Sequence, residues 1–495
     1  MSGVTNNQVI IVGAGPGGLL LAGELAMAGV PCTVLEKRSG RSAESRALGL
    51  QARTLELLQL RGLAQRFTSQ GNPLDHFRVT IGKARIELRR LETKFQQLSI
   101  LPQSTTEKLL EERAIEHGAS VKRSVEVVDV HQDSQGVTLS VRDGQHRWEE
   151  HTSWVVGCDG SHSTVRNSVG INFTGTTYPY NVIVGDVRLA KPPQDGMLVE
   201  VGHGGLVVAI DFGTGWWRMG AVDWNRPKEN IEPPTLTELQ RALATIFGYD
   251  ITPHDPLWIT RFRFQKRHAS TYRRGRVLLL GDAAHVHAPL GAQGLNMSLQ
   301  DAMNLGWKLA AVCKGEMPQT LLDTYEQERR PVATRVLKAT DFAIRVMMSR
   351  QPFIKAARRL VIPNVLRTAS GHKMVAEYVS GLAWKYPPSD GRQHVKIVGH
   401  RIPDAAIRKS DGSINALSQH FESGKFVLID QMGGKLTETS KPWGNQLVRV
   451  QGTIIDQPGL RSYQAILCRP DGYCAWAGEL DDTPSFLSAL KEWRG

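Results

Sequence analysis

The beginning of this chain constrains its fold more than any other segment. Val9-Ile10-Ile11-Val12 is a short apolar, β-branched run, and Gly13-Ala14-Gly15-Pro16-Gly17-Gly18 follows without a gap. A helical stretch runs from about Gly17 to Ala28, and Cys32-Thr33-Val34-Leu35-Glu36 reads as the next buried strand. Strand, glycine turn, helix and strand make a βαβ unit, which commits the chain to an α/β fold with a parallel sheet. The spacing also assigns roles. Gly13 permits the tight turn, Gly15 lets backbone amides approach a pyrophosphate, and Gly18 lets the helix close on the strand. Glu36 stands eighteen residues after Gly18. It is placed to accept hydrogen bonds from a ribose, and its charge disfavours a 2′-phosphate there. Lys37, beside it, belongs to the same ligand-binding edge.

A second segment, residues 276–296, complements the first. The apolar run Val277 to Leu280 stops at Gly281-Asp282, so a buried strand delivers one carboxylate to its carboxyl end, where open α/β sheets bind ligands. A turn containing Pro289, Gly291 and Gly294 follows, and a helical run starts near Leu295. Asp282 can accept hydrogen bonds from polyol hydroxyls. The glycines let backbone amides approach a flat ring, and the helix start adds partial positive charge.

Length and composition limit the remaining classes. At 495 residues, two or three domains are expected. No apolar stretch reaches the roughly 20 residues needed to span a bilayer, and no basic start with an apolar core precedes the first strand. The expectation is a cytoplasmic protein with no integral membrane contact. The formal charge is +12, scattered except for a basic helical stretch from Arg345 to Arg367 that reads as a solvated face. No nucleic-acid motif is present, so no nucleic-acid partner is expected. Five cysteines, Cys32, Cys158, Cys313, Cys468 and Cys474, are widely spaced without a Cys-x-x-Cys pair. That pattern counts against a dithiol reductase and against a zinc site, so no metal is expected.

Three more segments fit the same ligand edge. Ser45-Arg46-Ala47-Leu48-Gly49-Leu50 leads into a helix through Leu58. Pro102-Gln103-Ser104-Thr105 opens another over Lys108 to His117, with Ser104 or Thr105 as its cap. Trp154-Val155-Val156-Gly157-Cys158-Asp159-Gly160 is a strand ending in Asp-Gly, followed by a turn into a helix. Alone, Arg46 reads as a surface ion pair, Gln103 as a helix cap and Asp159 as a turn residue.

Together, the Gly13–Gly18 turn with Glu36, the Cys158-Asp159-Gly160 segment and the Gly281-Asp282 segment resemble the three fingerprints of the single-component FAD-dependent aromatic hydroxylases. The type member of that family hydroxylates para-hydroxybenzoate. Order and separation match over roughly residues 8 to 340. The Ser45-Arg46 and Pro102-Gln103 stretches, the run Ala283-Ala284-His285-Val286-His287 and the long C-terminus look most like aromatic polyketide hydroxylases and rifampicin monooxygenase. The turn departs from the family's usual Pro-Pro and Gly-Gly: Ala288 precedes Pro289, and Ala292 follows Gly291. The resemblance implies that Glu36 binds the adenosine ribose and Asp282 the ribityl chain. It places Arg46 and Gln103 along FAD, Gly294, Leu295 and Asn296 at the flavin pyrimidine ring, and Asp159 at the nicotinamide and FAD contacts. Arg46 and Pro289 are the candidate catalytic residues, with no acid or base identified.

The implied architecture is a Rossmann-like FAD-binding domain with an inserted β-sheet substrate domain and a C-terminal thioredoxin-like domain. The FAD domain is expected over 1–75, 101–175 and 270–395, the substrate sheet over 76–100 and 176–269, and the last domain, without a redox dithiol, over 396–495. Tyr178, Tyr180, Trp216, Trp217 and Phe262 are candidate pocket walls. A boundary is expected at Ser389–Arg392. The implied activity is monooxygenation of a phenolic or polycyclic aromatic, polyketide-like molecule through a flavin hydroperoxide, with NADPH or NADH as electron donor and O₂ as co-substrate. Baeyer–Villiger oxygenation or antibiotic inactivation fits the same scaffold. A non-catalytic FAD-binding scaffold, or a homodimer built through the C-terminal domain, also fits the sequence.

Overall fold

The computed structural model describes residues 9–41, 47–79, 84–202, 204–224, 232–247, 251–288, 290–387, 395–479 and 482–493. Ser45, Arg46, Pro289 and the boundary at Ser389–Arg392 therefore lie outside the described residues.

A six-stranded sheet organises the molecule. Its order is Arg273–Arg274, Val277–Leu279, Trp154–Gly157, Val9–Val12, Cys32–Glu36, Ser120–Arg123. All neighbours are parallel except the short first pair. Val9–Val12 and Val277–Leu279 are buried throughout, as their unbroken apolar character requires of strands covered on both faces, and Cys32–Glu36 between them and the edge is buried as well. The helices Pro16–Met27 and Gln293–Cys313 pack on each other beside the sheet. A Cβ on Gly17 would fall 2.1 Å from the Ser298 hydroxyl, so this contact needs a glycine. The expected start of the helix near residue 108 is corrected. It spans Gln103–Glu116 with Pro102 as its cap, so Ser104 and Thr105 lie inside its first turn.

An eight-stranded sheet covers the carboxyl edge of the first. Its order is His285–Val286, Pro253–Ala269, Phe173–Leu189, Trp217–Asp223, Gly205–Asp211, Met197–Val201, His76–Val79, Ala84–Glu87. His285–Val286 sits just beyond Gly281-Asp282 and pairs with His268 and Arg267, tying the turn to this second sheet. The strand Leu98–Ile100, expected in the substrate region, pairs instead with Gly49–Leu50 and Asn72–Leu74. One face of the large sheet is closed by the helix Leu236–Phe247.

The C-terminal residues form a four-stranded sheet ordered Leu447–Gln451, Phe426–Asp430, Ala465–Cys468, Cys474–Gly478. Only its first pair is parallel, the mixed pattern of a thioredoxin-like sheet. A buried ionic seam fixes it to the rest. Arg469 donates to both oxygens of Glu328 at 2.6 and 2.9 Å and to those of Asp471 at 3.1 and 2.6 Å, while Lys308 donates to Glu328 at 2.7 Å. Burial opposes the charge on Glu328, but Arg469 and Lys308 outweigh it and hold that carboxyl at about 2. All five cysteines are free thiols, and burial pushes Cys32 up to about 12. Among the described residues no helix is long and apolar enough to cross a membrane, and no cluster of metal-ligating side chains occurs.

Candidate active site

Strand register gathers the three glycine-bearing turns. Val12 lies opposite both Leu35 and Gly157, and Gly157 opposite Leu279. The ladder continues one residue further: Gly13 donates to Leu35 O at 2.8 Å, Cys158 to Val12 O at 2.8 Å and Leu280 to Gly157 O at 3.0 Å. Gly13, Glu36, Asp159 and Gly281-Asp282 therefore leave the sheet along one edge. Gly13 has φ +107°, and a Cβ there would stand 2.5 Å from Cys158 O. A Cβ on Gly18 would stand 2.2 Å from Gly13 O, whereas one on Gly15 would meet nothing within 4 Å. Two of the glycines are needed by the protein's own packing. Gly15 faces open space at the start of a helix that no side chain caps.

Glu36 is buried and held across the turn. It accepts hydrogen bonds from the Ala14 amide at 2.8 Å and from the Arg38 amide and Nε at 3.0 and 2.9 Å. Burial would raise its pKa, but these donors outweigh burial and hold it below the usual carboxylate range. Lys37 is exposed beside it. Gln103 bridges two segments: its Oε1 accepts from Ala47 N at 3.1 Å and its Nε2 donates to Glu107 at 2.8 Å. Asp159 accepts from Val165 N at 3.1 Å with Oδ2, while its buried Oδ1 has no partner. Burial raises its pKa.

The 281–296 turn is built from below by residues that the sequence reading missed. Buried Asp301 accepts from Gly281 N at 3.2 Å, contacts His285 Nε2 at 2.8 Å and accepts from Arg329 Nε at 2.6 Å. Burial opposes its ionisation, yet Arg329 and His285 keep its pKa low. A single charge in the stretch Met297–Leu305, which otherwise carries only uncharged residues, was the available signal. Asp282 itself is exposed at the tip of a short 3₁₀ turn. Asn296 is fully buried: it accepts from Gln51 N at 2.9 Å and donates to Gly49 O and Ala292 O at 2.7 and 2.6 Å. Its side chain therefore ties the 49–51 segment to the start of the helix, and main-chain groups at Gly294, Leu295 and Asn296 remain for a ring. The helix Gln293–Cys313 starts at Ala292, in left-handed conformation at φ +52°, without a side-chain cap. His287 Nδ1 contacts the Ala288 carbonyl at 2.8 Å, so it carries the proton. Burial lowers the pKa of this ring to about 4, leaving Nε2 an unprotonated acceptor, buried and without a partner.

The aromatic candidates divide between the two faces of the large sheet. Tyr178 is buried in a cluster with Val182, Phe264, Ala288, Ile344 and Met348, against which Tyr180, Phe262, Trp224 and Leu290 pack. Tyr178 also donates to Asp341 at 2.5 Å. This cluster joins the sheet to the 288–290 turn. Trp217, expected at the pocket, belongs to the opposite face, where it packs with Leu239, Leu243 and Ile246 of the covering helix. Residues alternate faces along a strand, and Trp217 shares the phase of Met219 and Ala221, not of Val222. Trp216 precedes that strand, half-buried beneath the Arg188 guanidinium, and is not part of the cluster. A groove of about 710 Å³ is lined by Thr271, Arg273, Asp323 and Arg330. It lies ahead of the strand whose far end carries Gly281, away from the gathered turns.

Two uncapped helix starts, an open glycine, and orphaned polar atoms on Asp159 and His287 along one edge fit a long ligand carrying phosphates, hydroxyls and a polar ring. Residues 6–340 match the FAD binding domain family, and residues 395–495 match the aromatic-ring hydroxylase C-terminal family. The chain is 35% identical to a rifampicin monooxygenase of Streptomyces venezuelae over 99% of this chain and 98% of that protein. It is equally 35% identical to a 12-dehydrotetracycline 5-monooxygenase/anhydrotetracycline 6-monooxygenase of Streptomyces rimosus, covering 99% of each chain. The solved structure of an anhydrotetracycline hydroxylase from Streptomyces rimosus superposes with a TM-score of 0.89 at 34% identity, covering 99% of both chains.

Proposed function

Because the chain belongs to the FAD-dependent aromatic-ring hydroxylases, we propose that it hydroxylates a polycyclic, polyketide-like phenol held between the flavin edge and the large sheet. It is an FAD-dependent monooxygenase. The observation that carries the finer reading is the strand register, which sets Glu36, Gly13 and Gly281-Asp282 on one edge, with the aromatic cluster of Tyr178, Phe262 and Phe264 meeting the same turn at Ala288. The relatives' activities, on rifampicin and on 12-dehydrotetracycline and anhydrotetracycline, support a fused aromatic substrate. NADPH as electron donor and a cytoplasmic setting complete the reading.

FAD, when bound, supplies the electron transfer and oxygen activation that side chains cannot. The chain's own residues bind and orient. Glu36 would accept hydrogen bonds from ribose hydroxyls, the amides at Gly15 would hold phosphate, and Asp282 would accept from ribityl hydroxyls. The start of the Gln293–Cys313 helix would offer partial positive charge to the bound group. Asp301 and Asn296 act as positioning residues, fixing the Gly281 peptide and joining the 49–51 segment to the helix. His287 Nε2 offers a lone pair to a ring N–H or a phenol. The cluster around Tyr178 and Phe264 excludes water from that space.

The test is NADPH oxidation by the FAD-loaded enzyme across a panel of phenols and fused quinones, with ¹⁸O₂ in the gas phase. The reading expects stimulation by fused-ring substrates and one labelled oxygen in a new phenol. A label in a ring ester would assign Baeyer–Villiger oxygenation instead. No stimulation by any panel member would leave an FAD-binding scaffold.

A further inference from the structure

The basic stretch near residue 350 has a property that its charge alone does not reveal. The helices Asp323–Met348, Pro352–Arg367 and Ala369–Val379 follow one another, and the middle one is barely buried. Its inward side carries Ile354, Ile362, Pro363 and Leu366 beside Arg358, which donates to Val346 O, Met347 O and Ser349 O and so pins the helix to the end of its predecessor. Its outward side is apolar. Phe353 is 69% exposed, Leu360 66% and Val361 55%, with Val365 further along. The positions 353, 357, 360, 361, 364 and 365 recur at helical spacing, and all except Ala357 and Asn364 are large hydrophobics. Phe342 and Met374, on the flanking helices, are also exposed. The helix is therefore held by one side, and a second apolar stripe faces outward.

Charge selects what could cover it. From Val346 to His372 the chain carries Arg350, Lys355, Arg358, Arg359 and Arg367 and no acidic residue. Arg350 and Lys355 lie over the Trp224 ring, and Arg359 and Arg367 are exposed on the helix itself. At the margins the charges are balanced: Arg345 pairs with Asp341, and Lys373 with Glu92 and Glu377. A second copy meeting this face by twofold symmetry would set the exposed Arg359 and Arg367 against their own copies. An anionic amphiphilic surface satisfies both the apolar stripe and the charge.

We propose that the Pro352–Arg367 helix seats the enzyme on anionic lipid surfaces, with Phe353, Leu360 and Val361 entering the headgroup boundary and Arg359 and Arg367 pairing with phosphates. The patch lies behind Ile344 and Met348, which line the cluster of Tyr178, Phe264 and Ala288. A lipid-partitioned aromatic would therefore be met on the side of the molecule where the proposed substrate wall ends. Vesicle binding itself does not depend on the proposed substrate.

The experiment is co-sedimentation of FAD-loaded enzyme with phosphatidylglycerol/phosphatidylcholine vesicles and with pure phosphatidylcholine vesicles. Binding is expected only to the anionic vesicles and is expected to weaken with salt. Arg359→Glu should lower partitioning roughly thirtyfold, since a charge reversal removes about two cation contributions. Phe353→Ser with Leu360→Ser should also abolish it. Both variants should keep substrate-stimulated NADPH oxidation in detergent-free buffer, which shows they are folded. Equal binding to both vesicle types, or none to either, overturns the proposal. So does a dimer in solution that Phe353→Ser/Leu360→Ser dissolves, or salt-sensitive retention on duplex DNA without vesicle binding.

Discussion

The carboxyl edge of the six-stranded sheet and the aromatic face of the eight-stranded sheet are built by different means. At the edge, backbone does the work: parallel register, glycine turns and two helix starts place the ligand-facing groups, and side chains such as Asp301 and Asn296 hold that backbone still. On the large sheet the strands are mostly antiparallel, and the surface is decided by which side chains point inward. The first kind of site tolerates little change anywhere and serves one cofactor. The second can be repainted residue by residue without disturbing the fold, which suits a family whose members act on different substrates.

That contrast breaks most sharply at Gly13. Gly13→Val places a branched side chain against Cys158 O and forces φ +107° on a β-branched residue. Loss of FAD binding is expected in fluorescence titration. Retained FAD would mean that the edge is not backbone-determined. Next in size is a pair on the large sheet. Trp217→Ala should cost about 3–5 kcal/mol in denaturant unfolding, by emptying the layer under the covering helix, while substrate ranking stays the same. Phe262→Ala, on the other face, should change substrate KM about tenfold with FAD affinity unchanged. An exchange of these two phenotypes would show that the faces have been assigned the wrong way round.

Legibility follows the same divide. The glycine spacing, Glu36 and Gly281-Asp282 could be located in the sequence because each does its task through local chain geometry. Parallel pairing then brought them together with no further information needed. Trp217 was misplaced because its face is set by where the helix Leu236–Phe247 packs, a long-range contact, and the neighbouring strands Phe173–Leu189 and Pro253–Ala269 add register shifts between Thr177 and Asn181 and between Asp186 and Arg188. Each irregularity can reverse which residues face inward, and nothing in a β-branched, aromatic run announces it. Asp301 was missed for another reason. Its importance lies in contacts with Arg329, twenty-eight residues away, and with the Gly281 peptide.

Acid distinguishes the regions more gently. Glu36 and Asp301 are both held below their ordinary values of 4.5 and 3.8. Depressed carboxyls stabilise the folded edge above their unfolded pKa, and that contribution is lost as pH falls through the folded one. Lowering the pH below about 4.5 should therefore release FAD before the near-ultraviolet dichroism of the sheet tryptophans changes. Simultaneous loss would contradict a separate, ionically braced edge. The smallest effect is at Ala292, whose left-handed conformation costs on the order of 1 kcal/mol that glycine does not incur. Ala292→Gly should raise the holoenzyme Tm by a few degrees at most.

The account rests on Glu36 and Asp282 gripping opposite ends of one FAD. The direct measurement is the Kd of FAD and of ADP for the native chain, Glu36→Gln and Asp282→Asn. Glu36→Gln is expected to weaken FAD and ADP by the same factor, about tenfold, because its partner is the ribose they share. Asp282→Asn is expected to weaken FAD alone. If Asp282→Asn weakened ADP as much as FAD, or Glu36→Gln left ADP binding unchanged, the cofactor would not lie along this edge as described.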